Sequence, residues 1–392
     1  MIRKSFKYRL YPNNEQATLL DKHFGCCRLI YNWSLGEKTR VYQDTGKSLS
    51  RYKLQEQLPE MKKNERPWLS EVNAQSLQAS LINLDRAFMN FFKHKARFPR
   101  FKKKNHRQSF QVPQRGQIDF ESGKIIIPKF LEGIRCHTSR RFEGETKTFT
   151  VSKTTTGKYF VSVLVETPDE VLGKRPVTAD TTIGVDVGIK DFCTLSIGEK
   201  IGNPRHLKEE LKRLKVLQRR AGKKKKDSNN RKKAVLKVAK LHEKISNRRN
   251  DFLHKLTNRL TSENQTGSIA VEDLNIAGMM KNHCLAQAIA DVSWSEFNRQ
   301  LEYKCEWRGV NLLKIGRFEP SSRTCDVCGT VNRDLKLSDR VWTCACGAEH
   351  DRDYLAAKNI KRFALTNDNL KYLSSSGRGD ETAETRCCNA GR

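Results

Sequence analysis

Apolar and polar residues alternate from Ile2 to Leu10, with Ile2, Phe6, Tyr8 and Leu10 set against Arg3, Lys7 and Arg9, and the pattern stops at Pro12-Asn13-Asn14. A period of two predicts a strand, and the residues that end it predict a helix cap. From there to about Lys95 the period is helical. Leu77, Leu81, Leu84, Phe88 and Phe91 form one apolar stripe at alternating spacings of four and three, which reads as a core-facing helix. Phe98-Pro99-Arg100-Phe101-Lys102-Lys103-Lys104 breaks that period. Strands follow at Ile125-Ile126-Ile127-Pro128, Thr148-Phe149-Thr150-Val151 and Tyr159 to Val165, separated by Gly and Pro. With the first strand they are expected to close a small β-barrel into which the helical region is inserted, a closure that would remove unpaired strand edges.

A third region opens at Ile183-Gly184-Val185-Asp186-Val187-Gly188-Ile189-Lys190-Asp191 and continues through Phe192 to Ile197, two short apolar runs joined by a Gly-containing turn. That predicts a β-hairpin. A long helical pair comes next, striped by Leu207, Leu211, Leu214 and Leu217 on one arm and by Val238, Leu241, Ile245, Phe252 and Leu256 on the other. The tip between the arms, Arg219-Arg220-Ala221-Gly222-Lys223-Lys224-Lys225-Lys226, is too basic to pack against a neutral surface and reads as a phosphate-binding element. Then come a strand over Ser268–Leu274 ending in carboxylates, a helix around Phe297–Trp307, a cysteine cluster and a helix starting near His350. The polar, aperiodic stretch from Ser374 onward is expected to be disordered.

Composition narrows the function. A chain of 392 residues allows two to four domains at roughly 100 to 200 residues each. Lys and Arg number 75 against 44 Asp and Glu, a formal charge of +31, which calls for a polyanionic partner such as nucleic acid. No run approaches the ~20 apolar residues of a membrane span, and the start lacks the apolar core of a signal peptide. Secreted and membrane classes are therefore set aside, and a cytoplasmic location is expected. In that setting the scattered cysteines read as reduced thiols.

Asp186, between Val185 and Val187 in an apolar strand, is costly unless something pairs with it or binds it. Glu272 ends a second apolar strand. Asp353 lies in His350-Asp351-Arg352-Asp353-Tyr354-Leu355-Ala356-Ala357, where the alanines would let a helix approach a sheet closely. Three carboxylates brought together repel one another unless divalent cations are present, and hard oxygen donors suit Mg²⁺ or Mn²⁺, as two ions about 3.5 to 4 Å apart. A lone Gly-Val-Asp-Val-Gly also occurs at nucleotide sites, so the combination carries the weight. Cys325-Asp326-Val327-Cys328-Gly329 and Thr343-Cys344-Ala345-Cys346-Gly347 bring four thiols with spacing close to that of a zinc ribbon. The one-residue gap between Cys344 and Cys346 leaves open a set in which His350 replaces one thiolate.

With Tyr8-Arg9-Leu10-Tyr11-Pro12-Asn13, the segment from Phe98 to Lys102, the segment from Gly184 to Asp191, Glu272-Asp273-Leu274, Ser321-Ser322 and His350-Asp351-Arg352-Asp353 in this order, nearly the whole chain resembles the TnpB family. These are transposon-encoded RNA-guided endonucleases related to the type V CRISPR effectors. The resemblance implies an α/β multidomain fold. A wedge β-barrel (1–15 and 98–175) would carry an inserted helical recognition domain (16–97). A ribonuclease H-like, RuvC-type nuclease domain (176–324 and 348–373) would be interrupted by a zinc ribbon (325–347), with a disordered tail at 374–392. It implies Asp186, Glu272 and Asp353 as the catalytic, Mg²⁺-binding triad and Cys325, Cys328, Cys344 and Cys346 as ligands of one Zn²⁺. It also implies a guide RNA and target double-stranded DNA as partners, a monomer in the RNA complex, and the bacterial cytoplasm or nucleoid as location. Tyr52, Gln75 and Gln78 lie where relatives contact a duplex motif. Arg100, Lys102, Lys103, Lys104, Arg219, Arg220, Lys223 and Lys224 are the expected backbone contacts. Leu355 stands where the family carries Asn. Two rival readings are a guide-directed repressor that does not cut, which loss of a triad acid would signal, and an acidic-triad transposase, for which a ribbon and barrel have no evident role.

Overall fold

The computed structural model describes residues 2–105, 107–168, 172–262, 266–336 and 338–366. The expected tail at 374–392 and the stretch 367–373 lie outside the described residues. The chain divides into two compact units, Met1–Asp169 and Glu170–Arg392.

In the first unit β1 (Ile2–Leu10) leads into α1 (Asn14–Thr45). Asn13 caps that helix through a reciprocal pair: its side chain accepts from the Gln16 N–H at 2.8 Å, and the Gln16 side chain accepts from the Asn13 N–H at 3.2 Å. After α2 (Arg51–Glu60), a π turn and a 3-10 turn, α3 (Ala74–Phe92) ends the helical insertion. The strands β2 (Gln108–Val112), β3 (Gln117–Asp119), β4 (Lys124–Ile127), β5 (Phe130–His137), β6 (Glu145–Lys153) and β7 (Tyr159–Thr167) follow. They join β1 in one ladder ordered β2-β6-β7-β1-β5-β4-β3. The first and last strands pair along their full length, from Ile2 with Thr167 to Leu10 with Tyr159, so the helices are an insertion between halves of one sheet. Leu20, Phe24 and Ile30 of α1 and Leu77 and Leu81 of α3 share a core with Tyr8, Phe149 and Val161 of the sheet. The end strands β2 and β3 are not paired with each other among the described residues. Strand β2 is instead tied to the helices, by Arg28 to Gln108 at 2.8 Å and by Asn83 to Gln111 at 3.1 Å, another way of covering an edge.

The second unit holds a five-stranded sheet ordered β10-β9-β8-β11-β12. Its strands are β8 (Thr182–Val187), β9 (Asp191–Leu195), β10 (Lys200–Gly202), β11 (Ser268–Glu272) and β12 (Asn311–Ile315). Strands β8, β11 and β12 run parallel, while β9 and β10 fold back antiparallel. Between β10 and β11 stand the paired helices α4 (His206–Gly222) and α5 (Asn229–Ser262). Helices α6 (Ile276–Met279), α7 (His283–Val292) and α8 (Trp294–Arg308) precede β12. The α4 end of the pair is anchored by Asp291 of α7, whose carboxylate accepts the Leu207 N–H at 3.0 Å and pairs with Arg249 at 3.2 Å, a favourable place for an anion at a helix N-terminus. The strip β13 (Val341–Thr343) and β14 (Glu349–Asp351) then leads into α9 (Arg352–Ala364).

Both faces of the parallel strands are covered. Ile269 and Val271 face α5 and α8 with Phe192, Leu253, Phe297 and Leu301, while Ala270 faces Ile360 and Ala364 of α9. This is why β11 is a continuous apolar run rather than an alternating one. Helix α9 approaches β8 so closely that a Cβ on Gly184 would sit 2.1 Å from the Ala357 carbonyl oxygen and 2.9 Å from the Lys361 nitrogen. Gly184→Ala should therefore destabilise the chain by about 3 kcal/mol. Gly36→Ala, in the interior of α1 with nothing within 4 Å, should stabilise it by up to about 1 kcal/mol. Denaturant unfolding of both variants checks the contrast.

Candidate functional site

Register builds the acidic site. Val185 of β8 pairs with Val271 of β11 in the parallel ladder, so the next position on each strand sets Asp186 beside Glu272 at the carboxyl ends of the strands, where open α/β sheets commonly bind ligands. The third carboxylate arrives on α9. The Asp351 side chain caps that helix, accepting the N–H groups of Asp353 and Tyr354 at 3.2 and 3.0 Å, and is itself held by Lys200 at 2.6 Å. Asp353 thereby falls in the first helical turn, facing the sheet.

All three acids are half-buried. Burial pushes the Asp186 carboxyl well above the ordinary carboxylate range, and the charges of Glu272 and Asp353 push it further, while Arg352 and Arg340 partly offset them. Burial also raises Glu272, against the opposing pull of its hydrogen bond from Ser321. Arg340 pairs with Asp353 at 3.3 Å. The acids are gathered without collapsing together: among the described residues they do not bring one oxygen each within 4.8 Å of one another.

Two residues with no assigned role hold this arrangement. The Ser321 hydroxyl donates to Glu272 Oε1 at 2.5 Å. Asn359 of α9, fully buried, donates from Nδ2 to the carbonyls of Ser321 and Thr324 at 2.7 and 2.6 Å. The sequence does carry a signal for Asn359: a lone amide among Ala356, Ile360 and Phe363 on the apolar face of a helix.

The segment Asn359 grips runs directly into Cys325. Cys325, Cys328, Cys344 and Cys346 bring their sulfurs within 4.8 Å of one another. Cys325 and Cys346 are 3.8 Å apart and Cys328 and Cys344 3.4 Å apart, against the ~3.8 Å edge of a tetrahedron with 2.3 Å bonds to sulfur. The short second half succeeds because Gly347 turns with φ +86° while the Cys344 N–H donates to the Ala348 carbonyl at 2.8 Å. His350 groups instead with Cys325 and Asp326: its Nε2 is 3.1 Å from the Cys325 sulfur and its Nδ1 3.4 Å from Asp326, which also takes Lys358 at 2.6 Å. Hydrogen bonds with Thr330 pull the Cys328 thiol down to about 6. The cluster could hold a metal ion. Leu355 belongs to it as well, packed with Cys325, Leu335, Trp342 and Cys344.

The expected nucleic-acid contacts divide. Arg219, Arg220, Lys223 and Lys224 are exposed around the turn from α4 to α5, and Arg100, Lys103 and Lys104 are exposed in the first unit. The Lys102 ammonium lies 3.9 Å from the centre of the Tyr31 ring. Tyr52 is exposed on α2, stacked by Arg51 at 4.7 Å. Gln75 opens α3 and bonds Gln114 at 3.1 Å, leaving its buried Oε1 without a partner, and Gln78 is half-buried on the same helix.

Comparison with known proteins follows this layout. Residues 160–283 match the family described as "Probable transposase", and residues 294–360 match "Cas12f1-like, TNB domain". Residues 1–47 match a "Helix-turn-helix domain", although here they form one strand and one long helix. A protein of Streptomyces pristinaespiralis named "Putative RNA-guided DNA endonuclease" is 43% identical over 93% of this chain and 90% of its own length. The Escherichia coli K12 protein "Putative RNA-guided DNA endonuclease InsQ" is 33% identical over 87% of each. Among solved structures, the Cas12f1 chain of a Cas12f1-sgRNA-target DNA complex superposes with a TM-score of 0.57 at 14% identity, covering 92% of this chain and 98% of that one, a likeness of fold. By its motifs, the order of its carboxylates and its near full-length relatives, the chain belongs to the TnpB family.

Proposed function

We propose that the chain is an RNA-guided DNA endonuclease encoded by an insertion sequence, cutting DNA hydrolytically at Asp186, Glu272 and Asp353. The observation that carries this reading is the register that sets Asp186 beside Glu272 with α9 bringing Asp353 to the same strand ends. Relatives named as RNA-guided DNA endonucleases over nearly their whole length support the rest. The sheet, three antiparallel strands continued by two parallel ones, is what a RuvC-type, ribonuclease H-like domain would need. We read residues 176–324 and 348–373 as that domain, 325–347 as its zinc ribbon, 1–15 and 98–175 as a wedge barrel, and 16–97 as the recognition helices. The working form is a monomer on guide RNA.

The donor set fits hard divalent cations, Mg²⁺ or Mn²⁺, because the acidic groups at the strand ends are all carboxylates, and the reading takes two such ions. Such ions would polarise the scissile phosphodiester and make water acidic enough to attack it. The chain's own residues prepare for that. Ser321 fixes one oxygen of Glu272 and leaves the other to the site. Arg340 and Arg352 lower the repulsion without abolishing it. A carboxyl whose folded pKa is raised binds its proton more tightly folded than unfolded, so its ionisation weakens the fold as pH rises above the unfolded value of about 3.9. Bound at these carboxylates, a divalent cation would relieve the same repulsion at neutral pH. Guide pairing supplies target choice, and the exposed arginines and lysines supply phosphate contact. The four thiolates fit one Zn²⁺, with His350 and Asp326 orienting Cys325 from behind.

Copurified RNA, sequenced and then challenged with a plasmid library of randomised flanks in Mg²⁺, tests the whole reading: a defined RNA and a defined cut are expected, and no defined RNA would overturn it. Asp186→Asn should abolish cutting, leave RNA binding unchanged and raise the melting temperature of metal-free protein by about 2 to 4 °C per kcal/mol of relieved repulsion. Ser321→Ala should cost about 10- to 100-fold in cutting and in Mn²⁺ affinity read by EPR, with target binding intact and partial recovery in Ser321→Thr. Elemental analysis should find one zinc per chain. Cys346→Ala should lose it, while His350→Ala should keep it at about 10- to 100-fold lower affinity.

A further inference from the structure

The apolar stripe of α3 outruns the core. Leu77, Leu81 and Leu84 are buried, Phe88 and Phe91 are half-buried, and Phe92 is 70% exposed. Phe98 meets Phe88 and Phe91 edge-on at 5.5 and 5.4 Å and remains 47% exposed, and Phe92 lies 5.3 Å from Phe91. The following segment is pinned to α1: the Lys102 N–H donates to Asn32 Oδ1 at 2.7 Å, and Asn32 Nδ2 donates to the Lys102 carbonyl at 2.9 Å. Between these two anchors Phe101 is 58% exposed. Residues 93–104 contain no acid, and Lys93, Arg97, Arg100, Lys103 and Lys104 are exposed around the rings. Phe98 packed on Phe88 and Phe91, with Phe92 and Phe101 exposed in the same acid-free, basic stretch, matches a ligand with flat apolar faces on an anionic backbone. Unpaired nucleotides have that chemistry.

We propose that Phe92, Phe98 and Phe101 form a stacking platform for unpaired bases of the RNA the chain carries, with Arg100, Lys103 and Lys104 on the adjoining phosphates. The assignment to RNA rests on the RNA-guided reading: a resident RNA covers an exposed apolar patch at all times, whereas target DNA arrives only to be cut. Stacking and phosphate contact differ in salt dependence, which makes them separable. The full chain is titrated, by fluorescence anisotropy, with labelled oligoadenylate RNA of about 20 nucleotides, its DNA counterpart and an RNA duplex of equal length, at about 50 to 200 mM salt.

The Phe92→Ala/Phe101→Ala variant should bind the RNA strand about tenfold more weakly at every salt concentration, with the slope of log affinity against log salt unchanged and duplex binding unaffected. Phe92→Trp/Phe101→Trp should bind at least as tightly as the parent. Lys103→Ala/Lys104→Ala should flatten the slope by about 1.4. The platform is overturned if the alanine variant binds the RNA strand like the parent, if it loses strand and duplex equally, or if the loss is confined to the DNA strand. A parent chain that binds neither RNA probe overturns the RNA-guided reading itself, a different result from a parent that binds while its variant is unaffected.

Discussion

Two half-buried carboxylates stand in register on adjacent parallel strands whose backbones run about 5 Å apart, where burial and then the charge of Glu272 push the Asp186 carboxyl up, and the surrounding residues tolerate that pair. Asp186 and Glu272 cannot move apart without slipping β8 against β11, and a slip of one residue would turn Ile269 and Val271 of β11 toward α9, on the side where Ala270 now packs. The strain is therefore retained, relieved in part by Arg340 and Arg352 and by the Ser321 hydroxyl. On the proposed reading, cations would relieve a repulsion that the fold already bears in keeping the acids together.

The rest of the unit keeps the third acid and the ribbon in fixed relation to that pair. Gly184 and Ala357 let α9 lie almost on the backbone of β8, which brings the first turn of the helix, and Asp353, to the strand ends. The same helix carries Asn359, whose amide holds the Ser321 and Thr324 carbonyls, and Leu355, which packs under the cysteine cluster. One helix thus supplies an acid, a clamp and a wall of the ribbon. Leu355, where the resemblance implies Asn, packs with Cys325, Leu335, Trp342 and Cys344, while Glu272 takes a hydrogen bond from Ser321.

Much of this was legible in the sequence where local pattern and tertiary role coincide. The β8–β9 hairpin, the α4–α5 pair and strand β11 lie where periodicity puts them, and the carboxylates stand out because each interrupts an apolar run. Strand β5 shows no such pattern, since Gly133 at φ +75° and a register shift against β4 break its alternation. Spacing alone does not separate the four-thiol cluster from a set including His350, because the turn at Gly347 that brings Cys344 and Cys346 together is a matter of backbone conformation. Ser321 and Asn359 act through contacts 49 and 38 residues apart, which no local spacing announces. Phe88 and Phe91 read as core because a stripe does not say where the core beneath it ends.

The most direct measurement is an anomalous difference map from crystals of the guide RNA complex soaked in Mn²⁺. Two peaks about 3.5 to 4 Å apart, bounded by Asp186, Glu272 and Asp353 with Arg340 displaced from Asp353, are the expected result. A map with no peak at these acids, or with manganese bound elsewhere while the Arg340–Asp353 pair persists, would contradict it.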